Sequence, residues 1–175
     1  MFARYQIFDY HHSSILNPKL YDVLQNCYST DVYRNIGGGA NCLNHNLHTR
    51  DINEVDILIN WINQLIPTVA INFAGEGKGG GPAGFDKYQF KVDECWALLY
   101  SEGDRVIKHN HFPYSISFCY YVNSPEGSSP FVIEGEKINL KAGQIIFFLP
   151  HQYHWVVPTK YFGRCVVVGN ILYTP

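Results

Sequence analysis

Residues 105–122 read RVIKHNHFPYSISFCYYV, and residues 143–173 read GQIIFFLPHQYHWVVPTKYFGRCVVVGNILY. Both are strings of short runs rich in Val, Ile, Phe and Tyr, cut by Pro, Gly and charged residues. Branched and aromatic side chains pack well on a pleated surface, so such runs predict strands. The same texture holds from Tyr88 onward, where KYQFKVDECWALLYS, PFVIEG and KINL fill the gaps and EGD, NSPEGSS, EGE, KAG and KYFG separate the runs. Short strands, regular turns and no long helix predict a sandwich or barrel of about eight strands. The expected fold class is mainly β: a double-stranded β-helix (jelly roll) over residues 88–175.

The preceding half reads differently. Residues 1–50 mix aromatics with Asn, His and Ser, interrupted by Gly37-Gly38-Gly39, and predict irregular pieces or short helices. A helix is expected over 51–66, with Asp51 as N-cap, Glu54 completing a capping box, and Ile52, Val55, Leu58, Ile59, Ile62 and Ile66 on one face. Pro67 is expected to end it. TVAINF (68–73) is a strand candidate, and AGEGKGGGPAG (74–84) predicts a mobile loop, a candidate lid. It is a poor phosphate loop, because Gly79 follows Lys78 where Ser or Thr is needed. The expectation is one domain, 1–175, with a helical or irregular N-terminal part (1–87) packed on the β core.

Bulk properties exclude several classes. The 175 residues suit one core, and 46% hydrophobic with 15% aromatic residues is unlike a disordered chain. A formal charge of -2 without a basic stripe argues against nucleic acid. Five cysteines without a CxxC argue against a disulfide framework or a cysteine zinc site. No stretch reads as the roughly 18 apolar residues of a membrane span. The opening MFARYQIFDYHH lacks a signal peptide's apolar core. A cytoplasmic location and a small-molecule or peptide substrate are expected, with neither nucleic acid nor membrane as partner; a homodimer is compatible with the chain.

His109-Asn110-His111 carries the chemistry. Residues two apart on a strand point the same way, so both imidazoles can reach one ion. His154 is the best third ligand: it follows a buried run and a break at Pro150 and opens the next strand, HWVVP. His151 competes for that place. Glu94, Glu102 and Asp104 do not share the face and spacing of the pair, and His11, His12, His45 and His48 read as ordinary polar residues. Three ligands on one side of a metal leave positions open for substrate and oxygen, the arrangement of non-haem Fe(II) oxygenases. Arg164 opens the apolar strand CVVVGNILY, where a buried guanidinium is costly unless paired. Arginine grips carboxylates at two points, so a dicarboxylate chelating iron at its other end would satisfy both sites.

The ordered set Trp96-ALLY, His109-Asn-His111, Ser117-FCYYV, Gly143-QIIFFLP, His154-WVVP and Arg164-CVVVG-Asn170 resembles the 2-oxoglutarate/Fe(II)-dependent oxygenase superfamily. Within it, the set resembles a family of oxygenases found in marine bacteria and their phages. The resemblance implies that His109, His111 and His154 bind Fe(II) and that Arg164 binds the distal carboxylate of 2-oxoglutarate. The chain departs from the commoner H-x-D pattern in having His111, and it has Val166 where a small polar residue often helps hold the cosubstrate. Tyr121 or Ser117 is the expected substitute. The implied activity is a dioxygenase hydroxylating an unidentified substrate.

Two other readings stay open. Gly103 followed by His109-x-His111 fits the opening of a cupin motif, but Phe112–Phe118 contains no acid and Pro150-His151-Gln152 replaces P-x-G. A non-catalytic jelly-roll module would need neither the metal nor Arg164.

Overall fold

The computed structural model describes residues 4–28, 33–34, 39–74 and 86–174. Eight antiparallel strands follow residue 88: β4 (Phe90–Tyr100), β5 (Val106–His109), β6 (Ile116–Asn123), β7 (Phe131–Ile133), β8 (Glu136–Ile138), β9 (Gln144–Phe148), β10 (His154–Val156) and β11 (Arg164–Tyr173). Before them come β1 (Tyr5–Asp9), α1 (Ser13–Tyr28), β2 (Tyr33–Arg34), β3 (Asn41–Cys42), a short 3-10 turn and α2 (Asn53–Ala74). The strands form two sheets, ordered β1-β9-β6-β11-β4-β3-β2 and β5-β10-β7-β8. This is the jelly roll the sequence predicts.

The N-terminal half departs from expectation. It does not merely pack on the β core: β1 pairs with β9, and β3 pairs with β4, so three of its strands widen the large sheet at both edges. α1 is a full helix because Leu16, Leu20 and Leu24, four residues apart, make one buried stripe. α2 runs through Pro67 and absorbs the segment expected to be a strand. Ile62, Ile66, Val69 and Ala70 continue one buried face past the proline, and burying that face outweighs the lost backbone bond and the strand preference of Thr68 and Ile71. Asp51 does not cap the helix. Ile52 O accepts the Asp56 N–H, and Asp51 stands one residue earlier at φ 53, a conformation Asp tolerates. α2 is long and apolar enough to cross a bilayer by length and composition, but its seven buried residues pack on the large sheet. The segment 74–84 lies outside the described residues beyond Ala74.

Strand alternation sorts the large sheet into two faces. Ala97, Phe118, Tyr120, Phe147 and Val167 face the helices. Trp96, Leu98, Tyr100, Cys119, Tyr121 and Val166 face inward, toward Phe131, Ile133 and Val156 of the small sheet. The β7–β8 hairpin closes with Glu134 at φ 47 and Gly135 at φ 87, two successive left-handed residues that match the twist of the strands.

Gly169 lets β11, β4 and β6 lie side by side. A Cβ there would stand 2.5 Å from Glu94 O and 2.5 Å from the Phe118 ring. The Gly169→Ala variant is therefore expected to lose about 1–3 kcal/mol of unfolding free energy, the usual range for overpacking. Urea unfolding monitored by fluorescence checks this, and an unchanged midpoint contradicts it.

Candidate metal centre

His109 ends β5, and His154 begins β10 directly opposite it in register. His111 lies just beyond β5, where its N–H donates to Pro150 O at 2.8 Å. The H-x-H pair is thus not wholly within a strand, yet both rings turn to the same point. One nitrogen from each of His109, His111 and His154 lies within 4.8 Å of the others. Ring centroids are 4.9, 4.3 and 5.0 Å apart for the pairs 109–111, 109–154 and 111–154. His151 is exposed and outside the cluster.

Backbone carbonyls orient two of the rings. His109 Nδ1 faces Ile107 O at 2.8 Å, and His154 Nδ1 faces Gln152 O at 3.2 Å. A carbonyl only accepts, so Nδ1 carries the proton in both rings and Nε2 keeps its lone pair for an ion. Burial, together with the charge of the neighbouring imidazoles, pushes His154 down to about 3 and His111 to about 4; burial also lowers His109. All three are neutral near pH 7, the form that binds metal. Phe131 and Phe148 pack against His154, and Trp96 against His111, which fixes the rings.

Arg164 lines the same cavity and is wholly buried. Nη1 donates to Ser129 O at 2.7 Å, and Nη2 donates to Tyr121 Oη at 2.7 Å. The guanidinium lies 4.8 Å from the Tyr100 ring centre and 5.1 Å from that of Tyr121. Nε is buried and has no partner among the described residues. Among the described residues no carboxylate pairs with this cation, the one ion pair being His45–Glu94. Tyr121, expected beside Arg164, is there. Ser117 is not: it pairs with Asn170, six residues along β11 from Arg164, and donates to Asn170 Oδ1 at 2.9 Å. Tyr100 and Ser129 escape a reading of the sequence, because only the Arg164–Tyr100 register and the fold of the 129 loop bring them in.

No family model matches the chain, and no curated protein does. Solved structures do. A prolyl-4-hydroxylase from Pseudomonas putida matches with TM-score 0.72 at 16% identity, over 98% of this chain and 94% of that one. The viral collagen prolyl hydroxylase of Paramecium Bursaria Chlorella virus-1, solved as a 2OG complex, matches with TM-score 0.71 at 14% identity, over 97% and 96%. The epimerase SnoN from nogalamycin biosynthesis, solved with Fe3+ and alpha ketoglutarate, gives TM-score 0.71 at 13% identity, over 98% and 82%. At these identities the likeness is one of fold: the described residues are built on the jelly-roll scaffold that these enzymes share.

The depressed histidines set a pH dependence. In the unfolded chain an imidazole takes its proton near pH 6.5, whereas His111 and His154 resist until about 4 and 3. Between these values the unfolded chain binds more protons, so stability falls as the pH drops. The metal-free protein is expected to melt at a lower temperature at pH 5 than at pH 7, with a smaller difference in the His154→Gln variant. Calorimetry at the two pH values checks this, and equal slopes for both proteins contradict it.

Proposed function

We propose that this chain is a non-haem Fe(II)- and 2-oxoglutarate-dependent oxygenase that hydroxylates an organic substrate. One observation carries the reading: a wholly buried arginine, with an orphaned Nε and no acid beside it among the described residues, shares a cavity with three convergent neutral imidazoles. A buried cation without a counterion is costly, and a bound anion removes the cost. The donor set also fits. Three nitrogens on one side of an ion suit Fe(II) and leave positions for a chelating ligand and oxygen. His109, His111 and His154 would hold the metal, and Arg164 the distal carboxylate of 2-oxoglutarate. Bound together, Fe(II) and 2-oxoglutarate supply oxidative decarboxylation coupled to C–H hydroxylation.

The chain's own residues supply position and dryness. Arg164 offers Nε to the carboxylate, while Tyr121, which accepts from Nη2, can donate its own proton to the same anion. Ser129 O and the two tyrosine rings fix the guanidinium plane, so the cosubstrate meets a preset fork. Trp96, Phe131, Phe148, Val166 and Val168 wall the space between the arginine and the histidines and exclude water. A cupin-type metalloprotein has no use for this arginine. Cys42, Cys95, Cys119 and Cys165 are buried free thiols, which suits a reducing compartment such as the cytoplasm.

Anaerobic titration with Fe(II) and 2-oxoglutarate is expected to raise a weak visible charge-transfer band. The Arg164→Lys variant keeps the charge but loses the two-point grip. It should bind metal as the parent does and 2-oxoglutarate at least tenfold more weakly, about 1.4 kcal/mol. No band in the parent, or equal cosubstrate affinity in parent and variant, contradicts the reading.

A further inference from the structure

The inner face of the large sheet changes character at one rung. Val166 and Val168 of β11 sit beside apolar or aromatic partners on β4 and β6, but Asn170 pairs with Glu94 on one side and Ser117 on the other. These three polar residues are joined in line: Ser117 Oγ donates to Asn170 Oδ1 at 2.9 Å, and Asn170 Nδ2 donates to Glu94 Oε2 at 3.1 Å. Phe148, which packs on His154, shares the rung with Ser117. The row therefore lies on the histidine side of the sheet, away from Arg164, one rung beyond the Trp96 and Val168 wall of the cavity. If the cosubstrate spans from Arg164 to the metal, the row is left for the substrate.

Glu94 is held as an anion. Burial alone would push its carboxyl up, but hydrogen bonds from Asn170 and Tyr114 and the charge of His45 overcome this and hold it below the ordinary value. Its other oxygen, Oε1, lies 3.7 Å from His45 Nδ1. The His45 ring, about half exposed, stacks on Trp96 with centroids 4.1 Å apart and planes 13° apart. Trp96 in turn packs on His111. A planar nitrogen ring thus lies on an indole and faces a fixed carboxylate, the setting that attracts organic cations.

Resting on the oxygenase reading, we propose that Glu94 and Trp96 are the specificity-determining pair of this site and that they take a cationic nitrogen group of the substrate, alkylammonium or guanidinium, with His45 as the ring that yields its place. Asn170 and Ser117 are positioning residues: they fix one oxygen of Glu94 so that the other meets the cation.

The test uses butylguanidinium, butylammonium and neutral butanol as probes, titrated calorimetrically into the full chain with and without Fe(II) and 2-oxoglutarate. Both cations should bind the parent at least tenfold more tightly than butanol; the tighter of the two identifies the nitrogen group. Glu94→Gln should remove that preference. Asp93→Asn, which makes the same charge change at the exposed neighbour on the opposite face, should keep it, and His45→Ala should strengthen cation binding by freeing the indole. Cations binding no better than butanol to the parent, or losing equally in Glu94→Gln and Asp93→Asn, overturns the proposal, and the parent comparison holds even if a variant fails to fold. The 2-oxoglutarate titration on the same samples separates the two readings. If 2-oxoglutarate binds and the cations do not, only the cation site fails; if it does not bind, the oxygenase reading fails whatever the probes do.

Discussion

A guanidinium buried to zero exposure, with no carboxylate partner among the described residues, is the constraint around which the interior is arranged. Taking such a charge from water costs several kcal/mol even after relaxation. The protein recovers part of this with Ser129 O, Tyr121 Oη and two aromatic faces. It leaves Nε unsatisfied. A residue of that kind, anchored at the start of a ten-residue strand in the middle of the large sheet, is poorly explained by stability. Methionine or leucine would fill the space at lower cost. The anionic ligand proposed for it supplies the missing reason.

The two sheets divide the work. The large sheet carries the arginine, the apolar wall and the polar row, spaced along β11 at residues 164, 166, 168 and 170 by the two-residue period of a strand. The small sheet carries the imidazoles, with His109 and His154 set opposite one another by the β5–β10 register. Slipping either register by one residue would turn the arginine or the imidazoles outward. Gly169 permits the close approach of β4 and the Phe118 ring just where the polar row begins. The helices support this from outside, packing on Phe118, Tyr120 and Phe147 without entering the cavity.

The C-terminal strands and the histidine cluster were legible in the sequence because both rest on local signals. Alternation and turn residues mark β4 to β11, and the H-x-H spacing flags two rings that can meet, as they do here with His111 just past the end of β5. Other features depend on contacts distant in sequence. YQIFD becomes β1 only because β9 has a free edge for it. Pro67 and the β-branched residues after it suggest a helix end, yet the stripe through Val69 and Ala70 needs the sheet beneath it to win. Ser117 and Tyr121 share a face, so alternation alone could not say which meets Arg164; the register of β6 on β11 decides for Tyr121. Glu94 stood out in the sequence only as a metal-ligand alternative, and its bonds to Asn170 and its place beside Trp96 appear only once three strands are laid side by side.

The most direct measurement is a crystal structure of the protein grown without oxygen in Fe(II) and 2-oxoglutarate, with anomalous data collected at the iron edge. The account predicts one iron peak bound by nitrogens of His109, His111 and His154, and a carboxylate of the cosubstrate on Arg164 Nε. Iron bound elsewhere, or an Arg164 Nε that meets no anion while the metal site is filled, would contradict it.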